Sequence, residues 1–213
     1  MIVLFGGEKG GTGKSTLATN ISLAFAHSGS ETIIVDCDPQ ITATRWVERR
    51  RKNFPALPMI QVVQKTGNVY DTVYDLSKKY ANVVIDAGGR DSEELRTAMA
   101  VANVMYIPLK ASQPDLETSK HMSQLVKLAK GLNPGIKANL ILSMAPTNPI
   151  LTEDREAREL LSALPGLSVS EVVIRERKVY RDAIADGKGV VEYDNAKAKQ
   201  EIMGLYREIT NEN

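Results

Sequence analysis

Gly6-Gly7-Glu8-Lys9-Gly10-Gly11-Thr12-Gly13-Lys14-Ser15-Thr16, entered from the apolar run Ile2-Val3-Leu4-Phe5, is the stretch that decides the fold. A buried strand that feeds a glycine-rich turn ending in Gly-Lys-Ser is the arrangement by which a chain wraps the phosphates of a nucleotide. Without Cβ atoms in the way, backbone N–H groups turn inward toward phosphate oxygens. A helix starting at about Lys14 points the positive end of its dipole at the same anion. Gly10, Gly11, Thr12, Gly13, Lys14, Ser15 and Thr16 are therefore the expected nucleotide cradle. Lys14 reaches the β- and γ-phosphates, and the Ser15 hydroxyl is placed for Mg²⁺. Lys9 is the unusual member, a second lysine inside the loop. The plain alternative is a glycine-rich turn with two solvated lysines.

The strict pattern G-x-x-x-x-G-K-[ST] fails at its first glycine, where Glu8 stands. What remains, Lys9-Gly10-Gly11-Thr12-Gly13-Lys14-Ser15, resembles the deviant Walker A loop of the ParA/MinD family of ATPases. The resemblance implies ATP and Mg²⁺ as cofactors. It also implies that Lys9 reaches across a homodimer interface to the partner's nucleotide, so that Lys9, Lys14 and Asp38 form the catalytic set.

Two further strand ends carry carboxylates. Asp36-Cys37-Asp38-Pro39-Gln40 closes the second strand, and its two aspartates alternate onto one face of an extended chain. This segment resembles the second ParA motif, in which the second aspartate positions the attacking water. That role falls on Asp38, with Asp36 supporting the metal. Val83-Val84-Ile85-Asp86 is an apolar strand ending in a carboxylate, the arrangement that holds Mg²⁺ directly or through water. The expected metal set is Ser15, Asp36, Asp38 and Asp86. The glycines of Asp86-Ala87-Gly88-Gly89 would let the next loop move with the terminal phosphate. A family member commonly has proline where Gly88 stands.

Tyr106-Ile107-Pro108-Leu109-Lys110-Ala111-Ser112-Gln113-Pro114-Asp115 resembles the family's stretch at the nucleotide and dimer interface, which adds Pro108 and Asp115 to the expected cofactor contacts. The alternative for Asp115 is a helix N-cap. After the sixth strand, Ser143-Met144 stands where relatives often carry Asn-Arg, so the usual base-reading asparagine is absent. Segments 173–183 and 187–192 resemble the terminal blocks of small ParA proteins.

Around these motifs, β-branched runs alternate with amphipathic segments. Strands are expected at about 1–6, 31–36, 59–64, 82–86, 103–108, 137–143 and 168–174. Helices are expected at about 14–28, 40–52, 68–80, 91–102, 115–131, 152–162, 178–186 and 194–210. This predicts an α/β fold of P-loop NTPase type, one domain over residues 1–213, with a doubly wound, mostly parallel sheet covered by helices on both faces. Ligands of such sheets bind at the carboxyl ends of the strands.

Composition narrows the function further. Hydrophobic residues make up 43% of the 213, enough for a large core, and the formal net charge is only +1. Any nucleic-acid contact must come from local clusters. Two exist: Arg45, Arg49, Arg50, Arg51 and Lys52 around Trp46, and Arg175, Arg177, Lys178 and Arg181. Each reads as a patch for the DNA backbone or as a solvated face. A single cysteine, Cys37, excludes an internal disulfide framework and, with its apolar surroundings, reads as an inert core thiol. His27 and His121 read as solvated or packed side chains remote from the motifs. The last helix carries Ala198, Ile202, Leu205, Tyr206 and Ile209 at helical spacing and lacks a basic polar face, which favours docking on the core over a membrane.

No secretory leader and no apolar run of membrane length are visible, so a cytoplasmic location is expected, with nothing ahead of the loop for a DNA-reading domain. By resemblance, the ATP-bound dimer binds DNA nonspecifically, gathers on the nucleoid, and is released by a small centromere-binding partner protein that stimulates a weak ATPase. The cycle segregates plasmid or chromosomal DNA. The alternatives are the same switch acting on a protein cargo, and a metabolic ligase such as dethiobiotin synthetase, in which Lys9 would have no use.

Overall fold

The structure, a computed structural model, describes residues 1–111, 113–147 and 151–211; for residues 113–117 and 151–155 it describes the backbone alone. Among the described residues, seven strands form one parallel sheet: β1 (Ile2–Phe5), β2 (Thr32–Asp36), β3 (Gln61–Gln64), β4 (Asn82–Asp86), β5 (Val104–Leu109), β6 (Lys137–Ala145) and β7 (Ser168–Arg175). Their order is β3-β2-β4-β1-β5-β6-β7. Strands β1, β2, β4 and β5 are buried along their whole length, as their unbroken apolar runs require. The edge strand β3 (Gln61-Val62-Val63-Gln64) is exposed at both ends.

Side chains alternate between two helical layers. Val3 and Phe5 of β1 face α1 (Lys14–His27), α7 (Lys178–Asp186) and α8 (Ala196–Thr210), while Ile34 of β2 faces α1 and α2 (Thr42–Asn53). Ile2 and Leu4 face the other layer of α3 (Tyr70–Ser77), α4 (Glu93–Met99), α5 (Gln113–Leu132) and α6 (Leu151–Ser162). Each fully buried aliphatic side chain contributes about 1.5–3 kcal/mol relative to exposure. The final helix buries the five residues its spacing singled out, Ala198, Ile202, Leu205, Tyr206 and Ile209, so it docks on the core. Among the described residues no helix is long and apolar enough to cross a membrane.

This topology places the site. The chain leaves β1 into α1 on one face of the sheet, whereas the neighbouring strands β4 and β5 exit into α4 and α5 on the other. Connections that diverge in this way open a crevice at the carboxyl ends, where Gly6–Gly13 lies. Pro108 fits inside a sheet for a related reason. Strand β1 ends at Phe5, opposite Tyr106, so position 108 pairs with Ile141 of β6 and has no β1 partner to which an N–H would donate.

Candidate functional site

Helix α1 begins at Lys14 from Gly13, whose φ of 95° lies in the left-handed region that favours glycine. No side chain caps this end and no acidic residue stands in the first turn. The helix's leading N–H groups and positive dipole end therefore face the loop. Lys14 is buried, and its Nζ donates to the Lys9 carbonyl at 2.6 Å, strapped across the loop that it must serve. Burial lowers its pKa, and the charges of Asp86 and Asp38 oppose the shift. Lys14 thus lies within the field of Asp86, at the end of β4, and of Asp38, just past the end of β2.

Asp36 and Asp86 are register partners across β2 and β4, and both lie on the face of the sheet covered by α1. Asp86 is fully buried, and neither of its oxygens has a hydrogen bond of ordinary geometry. Burial pushes its pKa up to about 8; the Ser15 hydroxyl, close enough to act on it, pulls the other way, while Asp36 and Asp38 push further upward. A buried carboxylate with free lone pairs, facing a serine hydroxyl at the mouth of a phosphate loop, fits Mg²⁺, which prefers few hard oxygen ligands plus phosphate.

Asp36 is engaged differently. One oxygen accepts from the Thr44 N–H and hydroxyl, each at 2.8 Å, and the other accepts from the Asp38 N–H at 3.2 Å. It anchors the start of α2 and orients the following turn. Its pKa is raised by burial, against those same hydrogen bonds. Asp38 accepts the Gln40 N–H at 2.8 Å, and its charge acts on Lys14 and Asp86. Cys37, between them, is a buried free thiol whose pKa is pushed up to about 12, chiefly by burial, as an inert core thiol should be.

Pro108 lines a small cleft with Glu8 and Lys9, so it flanks the phosphate loop. Ser112 and the Asp115 side chain lie outside the described residues. On the other side of the loop, a cavity of about 350 Å³ opens beside Gly11, Gly13 and Thr16. Its walls include Leu17, Met144, Ile174 and Tyr180, apolar surface suited to the flat face of a base. Met144 is in the left-handed region at φ 54°. A Cβ on Gly13 would come within 3.0 Å of the Ser143 Oγ, so the Ser143-Met144 corner presses directly on the loop.

The two basic clusters require correction. Arg50 is no surface residue: its side chain is 0% exposed and it forms a two-bond ion pair with Glu192, at 2.9 and 2.7 Å, plus bonds to the Pro58 and Gly187 carbonyls. Trp46 is buried with it. Arg49 is half-buried and donates to the Ile184 carbonyl. Arg45, Arg51 and Lys52 stay exposed. In the second cluster Arg177 binds Glu201, Lys178 binds Asp182 and Arg181 binds Glu176. Arg175, Arg177 and Arg181 line the 350 Å³ cavity. That cluster belongs to the wall beside the phosphate loop, with its charge largely matched by carboxylates.

His121 is the residue that sequence reasoning misplaced. It is far from the phosphate loop in the chain, yet its Nδ1 contacts Glu8 of that loop. A separation of 113 residues left no local signal for this contact.

A sheet of this order, with a glycine loop at the switch point, an uncapped helix start and a buried carboxylate beside it, defines the class: a phosphate-loop nucleotide-binding domain. Residues 3–191 match the family described as the CobQ/CobB/MinD/ParA nucleotide binding domain, and the chain belongs to that family. It is 29% identical over 207 residues to the maintenance of carboxysome distribution protein A of Halothiobacillus neapolitanus, covering 94% of this chain and 92% of that one. It is 23% identical over 251 residues to the chromosome partitioning protein ParA of Myxococcus xanthus, covering 98% and 87%. In fold it is similar to the septum site-determining protein MinD of Pyrococcus horikoshii in complex with Mg-ADP, at a TM-score of 0.76 and 17% identity, covering 98% and 95%.

Proposed function

We propose that this chain is an ATP-dependent dimerising switch that partitions plasmid or chromosomal DNA. The observation that carries the reading is the loop itself: Lys14 held on the Lys9 carbonyl, with the second lysine lining the cleft beside Pro108. A loop that only had to grip its own nucleotide would not need Lys9. In this reading the Gly10–Thr16 backbone and the Lys14 ammonium bind the phosphates of ATP, and the apolar wall of Leu17, Met144, Ile174 and Tyr180 receives the base. Ser15 and Asp86 would hold Mg²⁺, Asp36 fixes the turn beside them, and Asp38 would orient the attacking water. Mg²⁺ supplies charge neutralisation on the phosphate oxygens. Lys9 of each subunit closes on the nucleotide of the other.

The ATP-bound homodimer then binds DNA without sequence preference, through the exposed Arg45, Arg51 and Lys52 of α2, doubled by the dimer. A small centromere-binding partner protein stimulates hydrolysis and frees the dimer from the nucleoid. The chain acts as a single domain in the cytoplasm.

A second reading, the same switch moving a protein cargo, is favoured by the 29% identity to a carboxysome distribution protein over nearly the whole chain. The two readings share the ATP-dependent dimer and differ in what it positions, DNA or a protein cargo. A ligase acting on a small acid has no use for Lys9 and is disfavoured on that ground.

Binding to a random-sequence duplex with ADP, ATP and a non-hydrolysable ATP analogue, at two salt concentrations, separates the two readings. Tight, salt-sensitive binding with the triphosphate alone, abolished by Lys9→Ala, supports the DNA-carried switch. No binding in any nucleotide state overturns the DNA-carried switch and favours protein-cargo positioning or a metabolic enzyme.

A further inference from the structure

We infer that Glu8, Asp91 and His121 form a binding site for a divalent transition-metal ion, separate from the Mg²⁺ position. Glu8 stands in the phosphate loop, Asp91 in the loop that follows β4, and His121 on the exposed side of α5. One ligand atom of each lies within 4.8 Å of the others, and no other grouping of three such side chains occurs among the described residues. The imidazole already touches the Glu8 carboxylate through Nδ1. Small side-chain rotations would bring one nitrogen and two carboxylate oxygens to a common ion at about 2.0–2.2 Å, with positions left over for water.

The donor set decides the class of ion. An imidazole nitrogen with two carboxylates suits zinc, or its neighbours manganese to nickel, and is poor for Mg²⁺, which prefers oxygen and dehydrates reluctantly. The two cations therefore sort themselves, Mg²⁺ at Ser15 and Asp86, the transition metal at His121. Arg96 is the built-in competitor: its guanidinium holds both oxygens of Asp91 and keeps that carboxyl below its ordinary pKa. Metal binding must share or displace that pair, so the site is one of modest affinity that fills when metal is abundant.

Position gives the site a consequence. The segment from Asp86 to Asp91 rests against the phosphate loop at Gly89, where a Cβ would meet the Gly10 nitrogen at 2.7 Å. An ion bridging Glu8 and Asp91 would tie that segment to the loop from a second point and to α5 from a third. It would restrain the loop that has to respond to the terminal phosphate.

Isothermal titration of the metal- and nucleotide-free full chain with Zn²⁺ tests this, together with the visible spectrum of the Co²⁺ form. We expect one ion per chain, a Co²⁺ spectrum with nitrogen ligation, and no displacement by excess Mg²⁺. His121→Ala should abolish this binding, His27→Ala should leave it intact, and Arg96→Gln, which frees Asp91, should tighten it. All three positions are at least partly exposed, and a melting curve for each variant shows that it folds. Absence of stoichiometric binding, or binding unchanged in His121→Ala, overturns the assignment. The readout uses no nucleotide and so stands or falls apart from the ATPase reading.

Discussion

Gly89 stands against Gly10 so closely that no side chain fits between them: a Cβ at position 89 would lie 2.7 Å from the Gly10 nitrogen and 2.9 Å from its Cα. All the atoms met are backbone of the phosphate loop, which has no rotamer with which to yield. The loop after β4 and the loop after β1 are therefore packed as one surface. Gly89→Ala should push them apart, displacing the N–H groups that face the phosphates. We expect a loss of ATP affinity of at least tenfold, with a global cost of about 1–3 kcal/mol from overpacking. Titration with a fluorescent ATP analogue, set beside a denaturant melt, separates the two effects.

The buried Asp86 makes a prediction about pH. Its native pKa, raised to about 8, lies well above the value of about 3.9 in the unfolded chain. Between those values the unfolded state has lost a proton that the native state keeps, so the metal-free protein loses stability as pH rises from about 4 to about 8. Asp86→Asn removes that cost and should stabilise the metal-free protein at pH 8 by on the order of 1 kcal/mol or more, with the advantage vanishing near pH 4. The same variant should hydrolyse no ATP, because it lacks the carboxylate facing Ser15. Melting curves across this pH range, with and without Mg²⁺, check both halves.

Arg50 and the exposed basic residues of α2 should respond oppositely. Arg50→Ala leaves Glu192 without its main partner, and breaking a buried pair costs about 3–5 kcal/mol, a fall of about 10 °C in melting temperature for a chain of this size. Burial works against ionisation of Glu192, but the Arg50, Gly189 and His27 contacts outweigh it and hold its carboxyl below the ordinary value. That contribution is complete above the unfolded pKa and fades as pH falls through the native one, so the gap between wild type and Arg50→Ala should narrow in acid. By contrast, Arg45→Ala, Arg51→Ala and Lys52→Ala should leave stability within about 0.5 kcal/mol. If α2 meets DNA, each should lower the salt-dependence slope of DNA binding by about 1. Slopes that do not move would remove α2 from the DNA interface.

Most of the scaffold was legible because its signals are local. Seven β-branched runs became seven strands, each displaced by no more than two residues at an end, and the glycine loop fell where β1 hands over to α1. Strands β6 and β7 run on to Ala145 and Arg175 through irregular register, which apolar periodicity does not encode. Helix α2 starts at Thr42 and not at 40, because Asp38 holds the Gln40 N–H in a turn and Ile41 adopts a left-handed φ of 49°. The charge run at 49–52 hid Arg50, whose partner Glu192 is 142 residues away. His121 was hidden for the same reason. Long-range pairing is what sequence pattern cannot carry, and both misreadings fall on pairs of that kind.

The two loop lysines should fail in different ways. Lys14 is buried, bonded within its own loop and surrounded by Asp86 and Asp38, so Lys14→Ala removes the phosphate-binding cation and leaves two carboxylates unopposed. We expect ATP binding itself to be lost, by about a hundredfold or more, as for a charge-assisted contact at several kcal/mol. Lys9 holds Lys14 through its carbonyl, a backbone atom that any substitution preserves. Lys9→Ala should therefore keep monomer affinity for ATP within a few-fold while abolishing ATP-dependent dimerisation, seen as a monomer mass by light scattering with the non-hydrolysable analogue. Loss of nucleotide affinity in Lys9→Ala equal to that in Lys14→Ala would place the Lys9 side chain on its own nucleotide and remove the cross-subunit role on which the switch reading depends.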